Sequence, residues 1–155
     1  MADMKLKVGE KAPDFTLKNQ HNQDVSLSSF KGKKVLLSFH PLAWTPACEI
    51  QMKTLELKHD DLEKLNTVAL GLSVDSVPAK KEWADYLVIE KTDLLADFWP
   101  HGDVAKKYGL FIDNAGISGR ANILIDEKGT IEWIRVYEIH EIPDIEEVIR
   151  HLREA

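Results

Sequence analysis

Two short apolar runs, separated by a helix signal, constrain the fold of this chain more than any other feature. The runs are VLLSF (residues 35–39) and TVALGLSV (residues 67–74), and both are continuous rather than alternating. Such runs are typical of strands that are buried on both faces. Between them, Thr45 is a favoured N-cap residue and Pro46 suits the first helical position. The pattern predicts a β-α-β unit whose helix spans residues 46–65.

The segments outside this unit add further strands and helices. FTL and VSL surround a polar turn near the N-terminus, and ANILID and IEWIRVYE flank the turn EKGT, so each pair predicts a hairpin. VPAKKEWADYL and IPDIEEVIRHLREA predict helices, and DLLADFWPHGDVAKKYGLF predicts a short strand, a loop and a helical turn. The resulting α/β order predicts a central mixed β-sheet flanked by helices. It is similar to that of a thioredoxin-like fold with an N-terminal β-hairpin.

Length and composition exclude several classes of protein. A chain of 155 residues suits one domain, residues 1–155, and buries enough surface to fold without disulfides. The first fifteen residues hold no apolar run, which argues against a signal peptide, and no stretch is apolar enough to span a membrane. The net charge of −6 comes from mixed acids and bases, which argues against binding to nucleic acid or an anionic membrane. The single cysteine suits a reducing compartment, so we expect a cytoplasmic protein.

That single cysteine, Cys48, falls in the first turn of the predicted helix. Backbone N–H groups there have no intrahelical partner, and together with the helix dipole they favour a thiolate. The position therefore suits a nucleophile. It suits a core-filling cysteine equally well, because free cysteine is among the most buried residue types and Cys48 lies on the apolar face of its helix.

Several chemistries can be compared for this thiol. A dithiol oxidoreductase needs a second cysteine, which the chain lacks. His40 ends the preceding strand, so a Cys–His hydrolase using Cys48 and His40 stays open, although a histidine that merely lines a pocket is the simpler interpretation. A non-turnover redox sensor or a chaperone-like protein also stays open. No metal site is expected, because the six histidines pair neither with each other nor with the cysteine.

Four blocks of sequence carry a resemblance to a known family. Pro41, Thr45 and Cys48 form the pattern P-x-x-x-T-x-x-C after an apolar strand, inside a segment that begins FKGKKVLLSFHP. The other blocks are VGEKAPDFTL, DFWPHGDVAKKYGLF and GRANILIDEKGTI. Together they resemble the peroxiredoxins, the alkyl hydroperoxide reductase and thiol-specific antioxidant family. The short chain without a second cysteine is similar to the one-cysteine type.

The resemblance implies a thiol-dependent peroxidase that acts on hydrogen peroxide and organic hydroperoxides without metal, haem or flavin. Cys48 would attack the O–O bond and become a sulfenic acid. Thr45 and Arg120 would bind the peroxide, and Pro41 would shape the pocket. Gln51 stands where many relatives carry glutamate, and its amide would orient Arg120.

The resemblance also implies partners. Without a second cysteine, the sulfenic acid would be reduced by a thioredoxin-like protein, a glutaredoxin-like protein or a low-molecular-weight thiol. A homodimer is expected on the same ground. Trp44 and Trp99 are candidates for pocket wall, core or subunit interface.

Overall fold

The computed structural model describes residues 4–155, so residues 1–3 of the predicted domain and of its N-terminal stretch lie outside the described residues. The strands are β1 (Thr16–Lys18), β2 (Asp24–Ser26), β3 (Lys34–Phe39), β4 (Thr67–Ser73), β5 (Asp93–Ala96), β6 (Phe111–Ile112), β7 (Ile117–Ser118), β8 (Arg120–Ile125) and β9 (Ile131–Tyr137). The helices are α1 (Pro46–Leu57), α2 (His59–Lys64), α3 (Val77–Leu87), α4 (Asp103–Lys107) and α5 (Ile145–Glu154), with a 3-10 turn at Leu27–Phe30. None of these helices within residues 4–155 is long and apolar enough to cross a membrane.

Seven of the described strands form one mixed sheet in the order β2-β1-β5-β4-β3-β8-β9. Strands β3, β4 and β5 run parallel, whereas β8 is antiparallel to β3 and β9 is antiparallel to β8. The predicted mixed sheet with flanking helices and an N-terminal hairpin is confirmed. Because β3 and β8 run in opposite directions and Phe39 pairs with Ala121, the end of β3 lies beside the beginning of β8.

The alternation of side chains along β3 divides the core between the two faces of the sheet. Val35, Leu37 and Phe39 pack on one face with the hairpin and α4. Leu36 packs on the other face with residues of α1, α3 and α5, among them Cys48. Ser38 has the same parity as Leu36, so the polar end of this strand faces the helix that carries the cysteine.

The predicted helix over residues 46–65 is wrong in one respect. It ends at Leu57, and a separate short helix, α2, begins at His59 after Lys58. Lys58 adopts φ −97° and ψ 8°, and no proline or glycine marks the change. The apolar spacing of α1 continues through the break to Leu62, which is also buried. The sequence pattern therefore gave no sign that the helix is interrupted. His59, whose spacing from Leu55 and Leu62 would place it on the apolar face of one continuous helix, lies partly exposed beside Asp60 and Glu63.

The other helix predictions fit better. Helix α3 covers the predicted segment from Val77 to Leu87, and Ser76 caps it by accepting a hydrogen bond from the Ala79 N–H. Helix α5 begins within the predicted segment IPDIEEVIRHLREA. Asp144 is its N-cap, and the Asp144 carboxylate accepts a hydrogen bond from the Glu146 N–H. The two-residue strands β6 and β7 pair as a separate ribbon, which the sequence did not predict because runs this short carry little periodicity.

Candidate active site

Cys48 is the third residue of α1 and has no solvent-exposed surface. Pro46 occupies the first helical position, and the Glu49 N–H donates to the Thr45 carbonyl as the first turn closes. The sulfur therefore lies at the N-terminal turn, where free backbone N–H groups favour an anion. Its burial with Met52 would equally suit a core cysteine, so the neighbouring polar groups decide between the two interpretations.

A buried guanidinium faces this sulfur. Arg120 opens β8, is 2% exposed, and donates from Nη1 to Cys48 Sγ at 3.4 Å and to Gln51 Oε1 at 2.7 Å. Its Nε and Nη2 donate to the Ile139 carbonyl at 3.0 and 2.5 Å. Hydrogen bonds from a charged donor are stronger than neutral ones, and the forked group is held at both ends. The structure thus places Arg120 beside the first turn of the helix that carries Cys48.

Gln51 is fixed as firmly as the arginine that it contacts. Since guanidinium groups only donate, Gln51 turns its oxygen to Arg120 and its Nε2 to Ser38 Oγ at 2.7 Å and the Phe39 carbonyl at 3.1 Å. Ser38 in turn donates to Asn122 Oδ1 at 2.7 Å. The sequence analysis missed Ser38 and Asn122. Their polarity inside two otherwise apolar strands was the available signal.

Thr45 occupies the predicted N-cap position, but its side chain does not cap the helix. Its hydroxyl donates to the Leu42 carbonyl at 2.7 Å. The hydroxyl oxygen is therefore not committed to the helix N-H groups in the described part of the chain. Pro41, the other residue of the motif, is buried directly after β3.

The His40 side chain is wholly buried, and both of its ring nitrogens have partners other than the cysteine. Nδ1 lies 3.3 Å from the Ser38 carbonyl, which assigns its proton there, and Nε2 lies 2.7 Å from Lys80 Nζ. Burial, and then the charge of Lys80, hold the pKa of His40 well below its usual value, so the ring is neutral. No hydrogen bond joins His40 to Cys48 among residues 4–155, and the geometry does not form a Cys–His pair.

Lys80 is a third residue that the sequence analysis missed. It lies on α3 with no exposed surface, at helical spacing from the buried residues Trp83, Ala84 and Leu87. A lysine at a position of this apolar face was the signal that could have revealed it.

An open groove of about 360 Å³ lies beside the first turn of α1. The residues that line it are Trp44, Thr45, Pro46, Glu49, Trp83 and Tyr86. The rings of Trp44 and Tyr86 lie 5.4 Å apart and are largely exposed. Trp44 also has φ +67°, an uncommon conformation for a bulky residue directly before the N-cap. Trp99 is 81% exposed, so neither predicted tryptophan is core.

One group of side chains could reach a common metal ion. His59, Asp60 and Glu63 bring their ligand atoms close together on α2. These side chains are exposed or half-exposed, and His59 lies close to both carboxylates. Such contacts bring the three groups together without a metal, and exposed acidic groups are common without an ion. This group lies on the short second helix, apart from the residues around Cys48.

Comparison with known proteins identifies the family. The family model described as AhpC/TSA family matches residues 8–134, which is most of the chain. The chain belongs to this family, the peroxiredoxins. It is 39% identical over 140 residues to alkyl hydroperoxide reductase E of Mycobacterium tuberculosis, which covers 90% of this chain and 91% of that protein. It is also 39% identical over 155 residues to a putative peroxiredoxin bcp of Haemophilus influenzae, covering 93% and 94%.

Solved peroxiredoxin structures share the fold. The reduced 2-Cys peroxiredoxin of Plasmodium vivax superposes with a TM-score of 0.87 at 29% identity, covering 96% of this chain and 81% of that one. The AhpC of Enterococcus faecalis superposes with the same TM-score at 24% identity. The thioredoxin-like fold is therefore confirmed, and the single cysteine fits the one-cysteine type. The peroxiredoxin is a thiol-dependent peroxidase, and neither the hydrolase nor the non-enzymatic alternatives are favoured.

Proposed function

We propose that Cys48 is the nucleophile of this peroxiredoxin and reduces hydrogen peroxide and organic hydroperoxides. The observation that supports this most is the contact of Arg120 Nη1 with Cys48 Sγ at 3.4 Å, at the N-terminal turn of a helix. A core-filling cysteine needs no buried cation beside it, since burying a charge is costly without a partner. A thiolate does need one.

The reaction follows from where negative charge moves. The Cys48 thiolate attacks the terminal oxygen of the hydroperoxide, an S–O bond forms, and the O–O bond breaks. The products are the sulfenic acid of Cys48 and an alkoxide or hydroxide, which takes a proton to become alcohol or water. Charge passes from sulfur to the leaving oxygen, so donors fixed in advance around both atoms stabilise the transition state. Arg120, held by Gln51 and the Ile139 carbonyl, is such a donor.

We assign supporting roles to the remaining residues of the motif. The Thr45 hydroxyl, free of a capping bond, can turn from the Leu42 carbonyl to a bound peroxide. Pro41 contributes a buried apolar wall that donates no N–H group. Gln51 presents the same oxygen to Arg120 that a carboxylate would, without adding negative charge near the thiolate.

Access to the sulfur requires local movement. Because Cys48 has no exposed surface, a peroxide reaches it only when neighbouring side chains or the first turn of α1 shift. The groove beside Thr45 and Pro46 is the approach that we propose, since it adjoins that turn.

The oxidised enzyme returns to its resting state through an external thiol. With one cysteine in the chain, an outside thiol condenses with the sulfenic acid to give a mixed disulfide and water, and a second thiol then releases Cys48. A thioredoxin-like protein, a glutaredoxin-like protein or a low-molecular-weight thiol can supply both. Because thiol reductants of these kinds keep the cytosol reducing, we propose that the protein is cytoplasmic.

We further propose that the chain is a single domain and forms a homodimer. Trp44 is 52%, Phe98 52% and Trp99 81% exposed, and exposed aromatic residues are enriched at protein interfaces. Sedimentation of the wild-type protein and of Trp99→Glu tests the assembly. A wild-type protein that sediments as a monomer over the whole concentration range contradicts the homodimer.

The decisive experiment for the activity is rapid mixing of the reduced protein with one equivalent of peroxide. We expect a sulfenic acid at Cys48, trapped by a sulfenic-acid reagent, to form far faster than in free cysteine, and not at all in Cys48→Ser. Arg120→Met should slow this step by about a hundredfold. Arg153→Met, which removes an exposed arginine near the end of α5, is the matched control and should leave the rate unchanged. A wild-type rate equal to that of free cysteine excludes the proposed function.

A further inference from the structure

Lys80 is a buried cationic group that the mechanism above does not use. It has no exposed surface, and its Nζ lies 2.7 Å from His40 Nε2 and 5.5 Å from the centre of the Trp83 ring. Lysine is rarely buried unless it is paired, and here the partner is a neutral imidazole rather than a carboxylate. Neither His40 nor Trp83 carries a negative charge, so the charges that favour an ammonium here are those of Asp75 and, when it is ionised, Cys48.

The charged groups that act on Lys80 and on its partner His40 come from three parts of the fold. Burial lowers the pKa of Lys80 to about 7, while Asp75 after β4 and Cys48 on α1 act in the opposite direction. Arg120 on β8 and Lys80 itself both disfavour a charge on His40. Asp75 already accepts hydrogen bonds from the Ala43 N–H and the Ser73 hydroxyl, and it is only half-buried.

Lys80 and Arg120 come from elements on different sides of β3. Arg120 belongs to β8, which borders β3 on one side, whereas α3 packs over β5, beyond β4 on the other side of β3. Cys48 and Trp83 share the apolar cluster between α1, α3 and the sheet. In such surroundings charges interact more strongly than in water, because little solvent screens them.

We propose that Lys80, held by His40, is a positioning residue of the active site whose ammonium stabilises the Cys48 thiolate together with Arg120. This deepens the proposed function, and it rests on Cys48 being the nucleophile. His40 fixes the ammonium because its Nδ1–H is tied to the Ser38 carbonyl, so the Nε2 lone pair points to Nζ. The ring acts as a neutral acceptor that holds the charge without cancelling it.

The state of Lys80 then couples the thiolate to pH. While Lys80 is protonated, the thiolate has two cations near it and is favoured. As Lys80 loses its proton in the neutral range, one of these cations disappears, and the thiolate is stabilised by Arg120 and the helix terminus alone. A lysine that only fills space would give no such coupling.

The test is a titration of the thiolate by its ultraviolet absorbance in the reduced full-length protein. Lys80→Met keeps the length of the side chain but removes the charge, and we expect the midpoint for Cys48 to rise by about one pH unit. Lys81→Met removes the neighbouring charge on the same helix, whose side chain is 44% exposed and pairs with Asp85, and should not move the midpoint. The Cys48→Ser protein supplies the baseline. An unchanged midpoint in Lys80→Met refutes the proposal.

A second variant covers the case in which Lys80→Met does not fold. His40→Phe removes the acceptor that holds the ammonium, and its midpoint should rise in the same direction by a smaller amount; no rise refutes the proposal. The titration is independent of catalysis, so its failure is distinct from failure of the proposed function. If the wild-type protein reacts rapidly with peroxide but the Cys48 titration midpoint is the same in Lys80→Met, the role of Lys80 is refuted and the proposed function stands.

Discussion

Replacing Gln51 by methionine tests whether the geometry around Arg120 matters for chemistry. The change preserves the length of the side chain but deletes three hydrogen bonds, those to Arg120 Nη1, Ser38 Oγ and the Phe39 carbonyl. A hydrogen bond to a charged group contributes about 1.5–3 kcal/mol and a neutral one about 1 kcal/mol. Part of this is recovered by apolar contacts of the methionine. We expect the free energy of unfolding to fall by about 3 kcal/mol.

The effect on the reaction should be smaller than removal of the arginine. Arg120 keeps both hydrogen bonds to the Ile139 carbonyl, so its guanidinium stays near the sulfur, but Nη1 loses the acceptor that aims it. Loss of a whole donor of this kind costs about a hundredfold to a thousandfold in rate. A donor that is retained but less firmly held should cost about tenfold.

Rapid mixing with peroxide, followed by tryptophan fluorescence, measures the rate, and chemical denaturation measures the stability. Gln23→Met, at an exposed position in the N-terminal hairpin turn, is the matched control. It removes one hydrogen bond, which Gln23 Oε1 accepts from Asn19 Nδ2 at 3.2 Å, so it should leave the oxidation rate unchanged and lower the stability by no more than about 1 kcal/mol. If Gln51→Met loses stability but oxidises at the wild-type rate, then the orientation of Arg120 is irrelevant to catalysis and the reasoning is refuted.

Four further changes test other parts of the structure. Thr45→Val should slow oxidation by peroxide about tenfold, with Thr45→Ser restoring the rate, because only the hydroxyl is needed; equal rates in the two variants contradict this. Gly71→Ala should lower the free energy of unfolding by about 1–3 kcal/mol, since the added Cβ would lie 2.4 Å from Met52 Sδ. An unchanged denaturation midpoint would contradict this and show that the Met52 side chain moves aside without cost. The pKa of Lys80 in the folded protein is about 7, below its usual 10.5, so the unfolded chain binds more protons between about pH 7 and about pH 10. The free energy of unfolding of the wild-type protein, relative to that of Lys80→Met, should therefore rise over this range. A difference in unfolding free energy that does not change with pH contradicts the burial of a titrating amine. Asp144→Ala removes the cap of α5 and should cost about 1 kcal/mol in denaturation experiments, which a wild-type midpoint would exclude.

The β-α-β unit was predictable because its signals are local. The continuous apolar runs of β3 and β4 and the Thr45–Pro46 helix start are each visible within a few residues. The break at Lys58 was not predictable, since it has no proline or glycine and buried residues continue on both sides.

The site was predictable to the extent that its residues lie in motifs. Cys48, Thr45 and Arg120 were chosen by resemblance, and the structure brings the arginine to the sulfur. The contacts of Gln51 with Ser38 and of His40 with Lys80 join residues that are 13 and 40 positions apart. Such pairs depend on how α1 and α3 pack on the sheet, and a single sequence does not encode them in any local pattern.

The complete burial of the Cys48 sulfur has a consequence for selectivity among reagents. Bulky alkylating agents and disulfides cannot contact an atom that has no exposed surface, whereas a molecule as small as hydrogen peroxide needs only a brief, narrow opening. The resting enzyme is thereby protected from adventitious blocking, and it discriminates by size before any chemistry begins.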